Sequence, residues 1–263
     1  MFTKPKDGFM RNHSYPALQL LAVAAAISSA PVLAEDFRIQ GQFSYDQIDP
    51  DGGGPNIDVF ALSGTYYLEP VPTDGVPVGE AAYIARTSYA NAVWSKVDSG
   101  NGNGDVDALA ANLGIHVPNS IFFGRLGVVR TDFPDLGGGP TDDTAWNGTF
   151  GIVPIPRLFF GTDFAEGGYD PNITARYVGK LPNNHWYGAS ITATDPDDGD
   201  TDVALEFDYY FDGFKLGGGY GSANDRWSAR AEFGLPHGFA LLGRVYTADD
   251  GDGFGLTLTW RDL

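Results

Sequence analysis

No cysteine stands anywhere in the 263 residues. A disulfide framework and a lipidated N-terminal cysteine are therefore both excluded. Positive charge is scarce as well: 16 Lys and Arg face 34 Asp and Glu, for a net charge of −18. Such a chain has no general attraction to nucleic acid or to an anionic surface. Beyond residue 34 no segment approaches eighteen consecutive apolar residues, so no membrane-spanning helix is expected. Histidine is sparse, and His116, His185 and His237 are scattered without a nucleophile-elbow or metallohydrolase motif around them. What the chain has in quantity is glycine, at 36 residues, and aromatics, at 14%. Both suit many tight turns and interfacial aromatic belts.

The N-terminus sets an expectation of export. Lys4, Lys6 and Arg11 form a basic start, an apolar stretch runs from Ala17 to Ala30, and Val32-Leu33-Ala34 offers a small-residue cleavage site. Residues 1–34 read as a signal peptide that is removed, and 35–263 as one domain carrying a net charge of −20. With neither disulfides nor spanning helices, stability has to come from a closed network of backbone hydrogen bonds.

Strands of period two supply that network. In 203–211 Val203, Leu205, Phe207, Tyr209 and Phe211 share one face, with Ala204, Glu206 and Asp208 on the other. Trp227, Ala229, Ala231 and Phe233 alternate with Arg226, Ser228, Arg230 and Glu232; Phe254, Leu256, Leu258 and Trp260 alternate with Gly255, Thr257, Thr259 and Arg261. The first strand is as regular, with Phe37, Ile39, Gly41, Phe43 and Tyr45 set against Arg38, Gln40, Gln42, Ser44 and Asp46. Strands of about ten residues with one apolar and one charged face suit a barrel in a bilayer. The pattern predicts an all-β, transmembrane, antiparallel up-and-down barrel of about 14 strands, with 12 to 16 compatible.

The connections alternate in kind. Acidic ones cover 49–56, 98–105, 132–144, 167–172, 195–201 and 249–253; short ones cover 118–119, 154–157, 182–185, 212–213 and 236–238. Long external loops and short periplasmic turns alternate in this way, with both termini in the periplasm. One periplasmic connection, 69–80, is long and carries Pro70, Pro72, Gly75 and Pro77, which predict an irregular turn; 80–86 extends a strand or forms a short helix. Tyr45, Trp94, Trp146 and Trp227 fall near the acidic loops, and Tyr187, Phe211, Phe214, Phe239 and Trp260 near the opposite ends, as two girdles require. Thr65-Tyr66-Tyr67-Leu68-Glu69-Pro70-Val71, followed by Val78-Gly79-Glu80-Ala81-Ala82-Tyr83, resembles the small general porins of Gram-negative bacteria. The resemblance implies an outer-membrane barrel admitting small solutes, without catalytic residues. The ending Trp260-Arg261-Asp262-Leu263 departs from the aromatic terminus common in such barrels.

The polar phase is the expected pore lining: Arg38, Gln40, Gln42, Asn112, His116, Arg176, Lys180, Glu206, Asp208, Lys215, Arg226, Arg230, Glu232, Arg244 and Arg261, with Thr257 and Thr259. Turned toward lipid near the midplane, each Arg or Lys costs roughly 2–4 kcal/mol, so the register is decided. The same side chains also suit a structural network of cross-strand ion pairs. Acidic loops concentrate cations at the outer mouth, which predicts weak cation preference at low salt. The acidic runs at 101–105 and 195–200 lack the EF-hand pattern and read as solvated turns, with divalent ions at most bridging them to lipopolysaccharide. No metal, cofactor or nucleic-acid partner is expected; membrane lipid and small solutes are, and a homo-oligomer is left open. The alternatives are a non-conducting barrel with lipid-hydrolase or adhesive function, and a soluble carbohydrate-binding β-sandwich.

Overall fold

The computed structural model describes residues 36–100, 104–133, 141–166, 172–194, 201–223, 225–249 and 251–263. The expected signal peptide, residues 101–103 of the run 101–105, the acidic run 195–200, and residues 134–140 and 167–171 of the acidic connections lie outside the described residues.

Fourteen strands make up nearly all of it: β1 Phe37–Pro50, β2 Ile57–Val71, β3 Tyr89–Asp98, β4 Val106–His116, β5 Phe122–Phe133, β6 Thr141–Ile155 and β7 Leu158–Ala165. They continue as β8 Asn172–Lys180, β9 Trp186–Thr194, β10 Asp202–Phe211, β11 Phe214–Gly221, β12 Arg226–Gly234, β13 Phe239–Ala248 and β14 Gly251–Arg261. Each strand pairs antiparallel with its neighbours in sequence, and β14 returns to β1 from Gln40↔Arg261 to Pro50↔Gly251. The barrel is closed, so no strand edge is left unpaired. One end carries both terminal strand ends and the connections 72–88, 117–121, 156–157, 181–185, 212–213 and 235–238. The other end, the loop end, carries the rest.

Period-two alternation places the two faces. One phase is apolar and open to the surroundings: Leu62, Leu109, Leu126, Trp146, Ile173 and Trp227 are each more than half exposed. Across the strands these positions fall in common rows, such as Leu62↔Trp94↔Leu109. A patch this broad far exceeds what a water-soluble surface carries.

Three segments depart from the sequence expectation. First, residues 251–253 do not belong to an acidic loop. Gly251 already pairs with Ala248 and with Pro50, because Gly251, Gly253 and Gly255 are strand positions rather than loop residues. Second, the register shifts between Phe37 and Ile39, which turns Phe37 away from the apolar exterior. Phe37 is buried with Tyr67, Val71 and Ala81, and Leu263 packs on that cluster. Third, the 69–80 connection is irregular, as expected, but it begins only after Val71. β2 runs on to Val71, and the chain then forms a 3-10 turn, Val78–Glu80, and a short helix, α1 (Ala81–Ala85), ending on left-handed Arg86.

Candidate functional site

Segment 72–88 leaves β2 and enters β3, yet its contacts lie across the barrel. The Glu80 carboxylate accepts from Arg176 Nη2 of β8 at 2.5 and 2.7 Å and from the Tyr210 hydroxyl of β10 at 2.5 Å. The Tyr83 hydroxyl lies 3.0 Å from the carbonyl oxygens of both Arg157 and Arg176. Arg86 donates to the Ser120 and Val153 carbonyls. Val76 packs with Tyr83 and Ile84 against Val178, Trp186 and Tyr210. In a closed barrel a segment rooted between β2 and β3 reaches β8–β10 only through the interior. Segment 72–88 is thus a plug folded into the terminal end of the lumen.

The plug's polar groups are satisfied as burial demands. Glu80 is 4% exposed, and a carboxylate so placed needs the paired guanidinium and the hydroxyl it has. Arg176 also lies 4.7 Å over the Tyr83 ring. Burial, partly offset by the Arg176 charge, pushes the Tyr83 hydroxyl up to about 12.

Above the plug the inward wall is charged on one side. Asp46, Gly255, Arg244, Arg230, Gly217 and Asp208 form one row across β1, β14, β13, β12, β11 and β10. Arg230 and Arg244 stand opposite each other, so like charges would repel. They turn apart instead. Arg244 crosses Gly255 to Asp46, with bonds of 2.7 and 2.5 Å, and Arg230 crosses Gly217 to Asp208, at 2.8 and 2.9 Å. Both glycines are required by space, since a Cβ on Gly255 would overlap Asp46 and one on Gly217 would overlap Asp208. Asn112 and Asn147 lie across Gly127 in the same manner.

A search of family models and of curated proteins gives no match. Solved structures do match. The barrel is similar in fold to an outer-membrane protein. That structure is Omp33 of Acinetobacter baumannii, at 14% identity and a TM-score of 0.68, covering 86% of this chain and 98% of that one. Variants of the Rhodopseudomonas blastica porin also align, one at 10% identity with a TM-score of 0.41 over 86% of this chain and 99% of that one. The first likeness shows the fold, the closed 14-stranded antiparallel barrel.

The residues singled out from the sequence fall into distinct environments. Glu206 and Asp208 meet Arg230, Lys215 meets Glu232 at 2.8 Å, and Arg176 meets the plug. Gln40 accepts from Arg261 Nε, Gln42 donates to Thr259, and Asn112 donates to Asn91. Arg226 stacks over Tyr246 at 4.4 Å and Lys180 lies 5.5 Å from the Trp186 ring. The His116 ring meets Phe123 at 4.6 Å. Arg38 sits in the shifted start of β1, exposed and donating to the Leu68 carbonyl rather than grouped with the others.

Sequence reasoning missed Arg125 and Asp163, joined at 3.3 Å with Thr149 bonded to the same carboxylate. Alternation held that signal, since Arg125 falls out of phase with Phe122 and Leu126. It also missed Glu80, Tyr83 and Arg86. Period two carries no information about a segment that is not a strand.

Proposed function

We propose that this chain is an outer-membrane porin, a passive channel for small hydrophilic solutes whose terminal end is narrowed by segment 72–88. The observation that carries the reading is the opposed character of the two wall faces. The outer face is a continuous apolar band, and the inner face is ionic and hydrogen-bonded. Lipid is the surroundings that such an exterior fits, and water the content that such an interior fits. The fold likeness to an outer-membrane protein agrees with this. Transport follows the gradient, since nothing in the polar wall suggests coupling to ATP or to an ion. The acidic loops favour a weak preference for cations among simple salts, screened as ionic strength rises.

The test is single-channel recording of residues 35–263 refolded into a planar bilayer. Ohmic steps are expected, with a reversal potential in a salt gradient displaced toward that of the cation. Protein shown to be inserted but electrically silent would overturn the channel reading.

A further inference from the structure

The plug does not seal the terminal end evenly. On the β5–β8 side it is bonded to the wall through Arg86 and Tyr83. On the other side, a cavity of about 560 Å³ opens between residues 75–79 and β9–β14, beside the contact of Val76 with Trp186 and Tyr210. Its lining runs from the turns at the rim, Asn184, Gly213 and Gly238, to the Lys215–Glu232 pair. That pair lies one inward position below Arg230, so the cavity runs from the rim to just beneath the charged row.

We infer that this crevice is the route by which solutes pass the plug, and that it selects small organic carboxylates. The inference rests on the channel reading and names its solute class. The plug contributes only Gly75-Val76-Pro77-Val78-Gly79 to the lining, so every charge comes from the barrel. Lys215 and Glu232 neutralise each other, and Asp212 stands at the rim. Two cations of this lining have no ion pair among the described residues. Lys180 is exposed beside the Trp186 ring, and Arg261 donates to Gln40 with its guanidinium 5.6 Å from the Phe37 ring. The Lys180 ammonium beside an indole ring that also carries the Arg157 guanidinium, at 4.6 Å, suits one carboxylate on a compact body. A phosphate dianion is best held by several converging donors, and Lys215 and Arg261 are already engaged with Glu232 and Gln40.

The chain's lack of cysteine makes the test clean. With Gly79→Cys, whose Cβ comes 3.6 Å from the Glu232 carboxylate, a thiol-reactive methanethiosulfonate applied from the terminal side should cut conductance by more than about half. Gluconate should then block the unmodified channel at millimolar concentration while sorbitol does not. Lys180→Gln should raise the half-blocking concentration about fivefold, and Lys180→Arg should restore it. Unchanged conductance after modification at 79 would overturn the route. Block insensitive to Lys180→Gln, or phosphate blocking as well as gluconate, would overturn the solute class. A silent wild-type channel is a different failure, since it removes the channel reading and this inference with it.

Discussion

Gly255 carries no side chain so that two others can lie across it. The Asp46–Arg244 pair occupies the space a Cβ would take, and the Asp208–Arg230 pair does the same over Gly217. Held flat, the two guanidinium groups leave the lumen open and keep their charges apart. Gly255→Ala should lift the pair off the wall. The expected cost is about 1–3 kcal/mol of stability, with a smaller conductance because Arg244 then projects inward. Gly124 is the control, because an added Cβ there meets nothing within 4 Å, and Gly124→Ala should leave both readings unchanged. Thermal unfolding in detergent, read beside single-channel conductance, checks the two variants together. These wall glycines are also where sequence reasoning went astray at 251–253. A glycine that makes room for a neighbour's side chain and one that makes a turn look the same in a sequence.

The plug is the element whose behaviour separates from that of the strands. Its ion pair with the wall is made by Glu80, so Glu80→Ala leaves the Arg176 guanidinium without its carboxylate and the Tyr210 hydroxyl with only Asp208, at 3.5 Å. The expected loss is about 3 kcal/mol of docking. Conductance should rise and protease should cut within 72–88, while the barrel's unfolding midpoint stays nearly fixed. Tyr83 gives the same element a pH dependence. Docked, it holds its proton to about 12; released into water, it ionises near 10. The docked state therefore binds more protons between these values. The stability Tyr83 contributes is complete below pH 10 and is lost as pH rises toward 12. Conductance should climb over that interval in the wild type, and Tyr83→Phe, which cannot ionise, should lack the step. Composition alone marked 69–80 as irregular, and the helix over 81–85 was left open. That the segment turns inward depends on Glu80 finding Arg176, 96 residues away, and no local pattern contains that pairing.

At the scale of the whole molecule, strand number, antiparallel order and closure were legible because two independent features agreed. These were period-two alternation and the alternation of long and short connections. Side-chain partners were not legible, since alternation assigns a face but not a neighbour. Arg230 reaching Asp208 rather than Glu232 is set by the register across three strands. Closure also fixes which tryptophans meet the surroundings. Trp94, Trp146, Trp227 and Trp260 are 41%, 62%, 60% and 39% exposed on the outer face, whereas Trp186 is 5% exposed against the plug. If that outer face lies in lipid, brominated acyl chains should quench the first four and spare the fifth. Single-tryptophan variants reconstituted in brominated-lipid vesicles measure this directly. Bromines placed along the chain should rank the outer four by depth, because Trp94, Trp146 and Trp227 stand toward the loop end and Trp260 toward the terminal end. Equal quenching of all five would mean that Trp186 is not inside. No quenching of any would return the apolar face to a protein partner or to a soluble core, and the porin reading would fall with it.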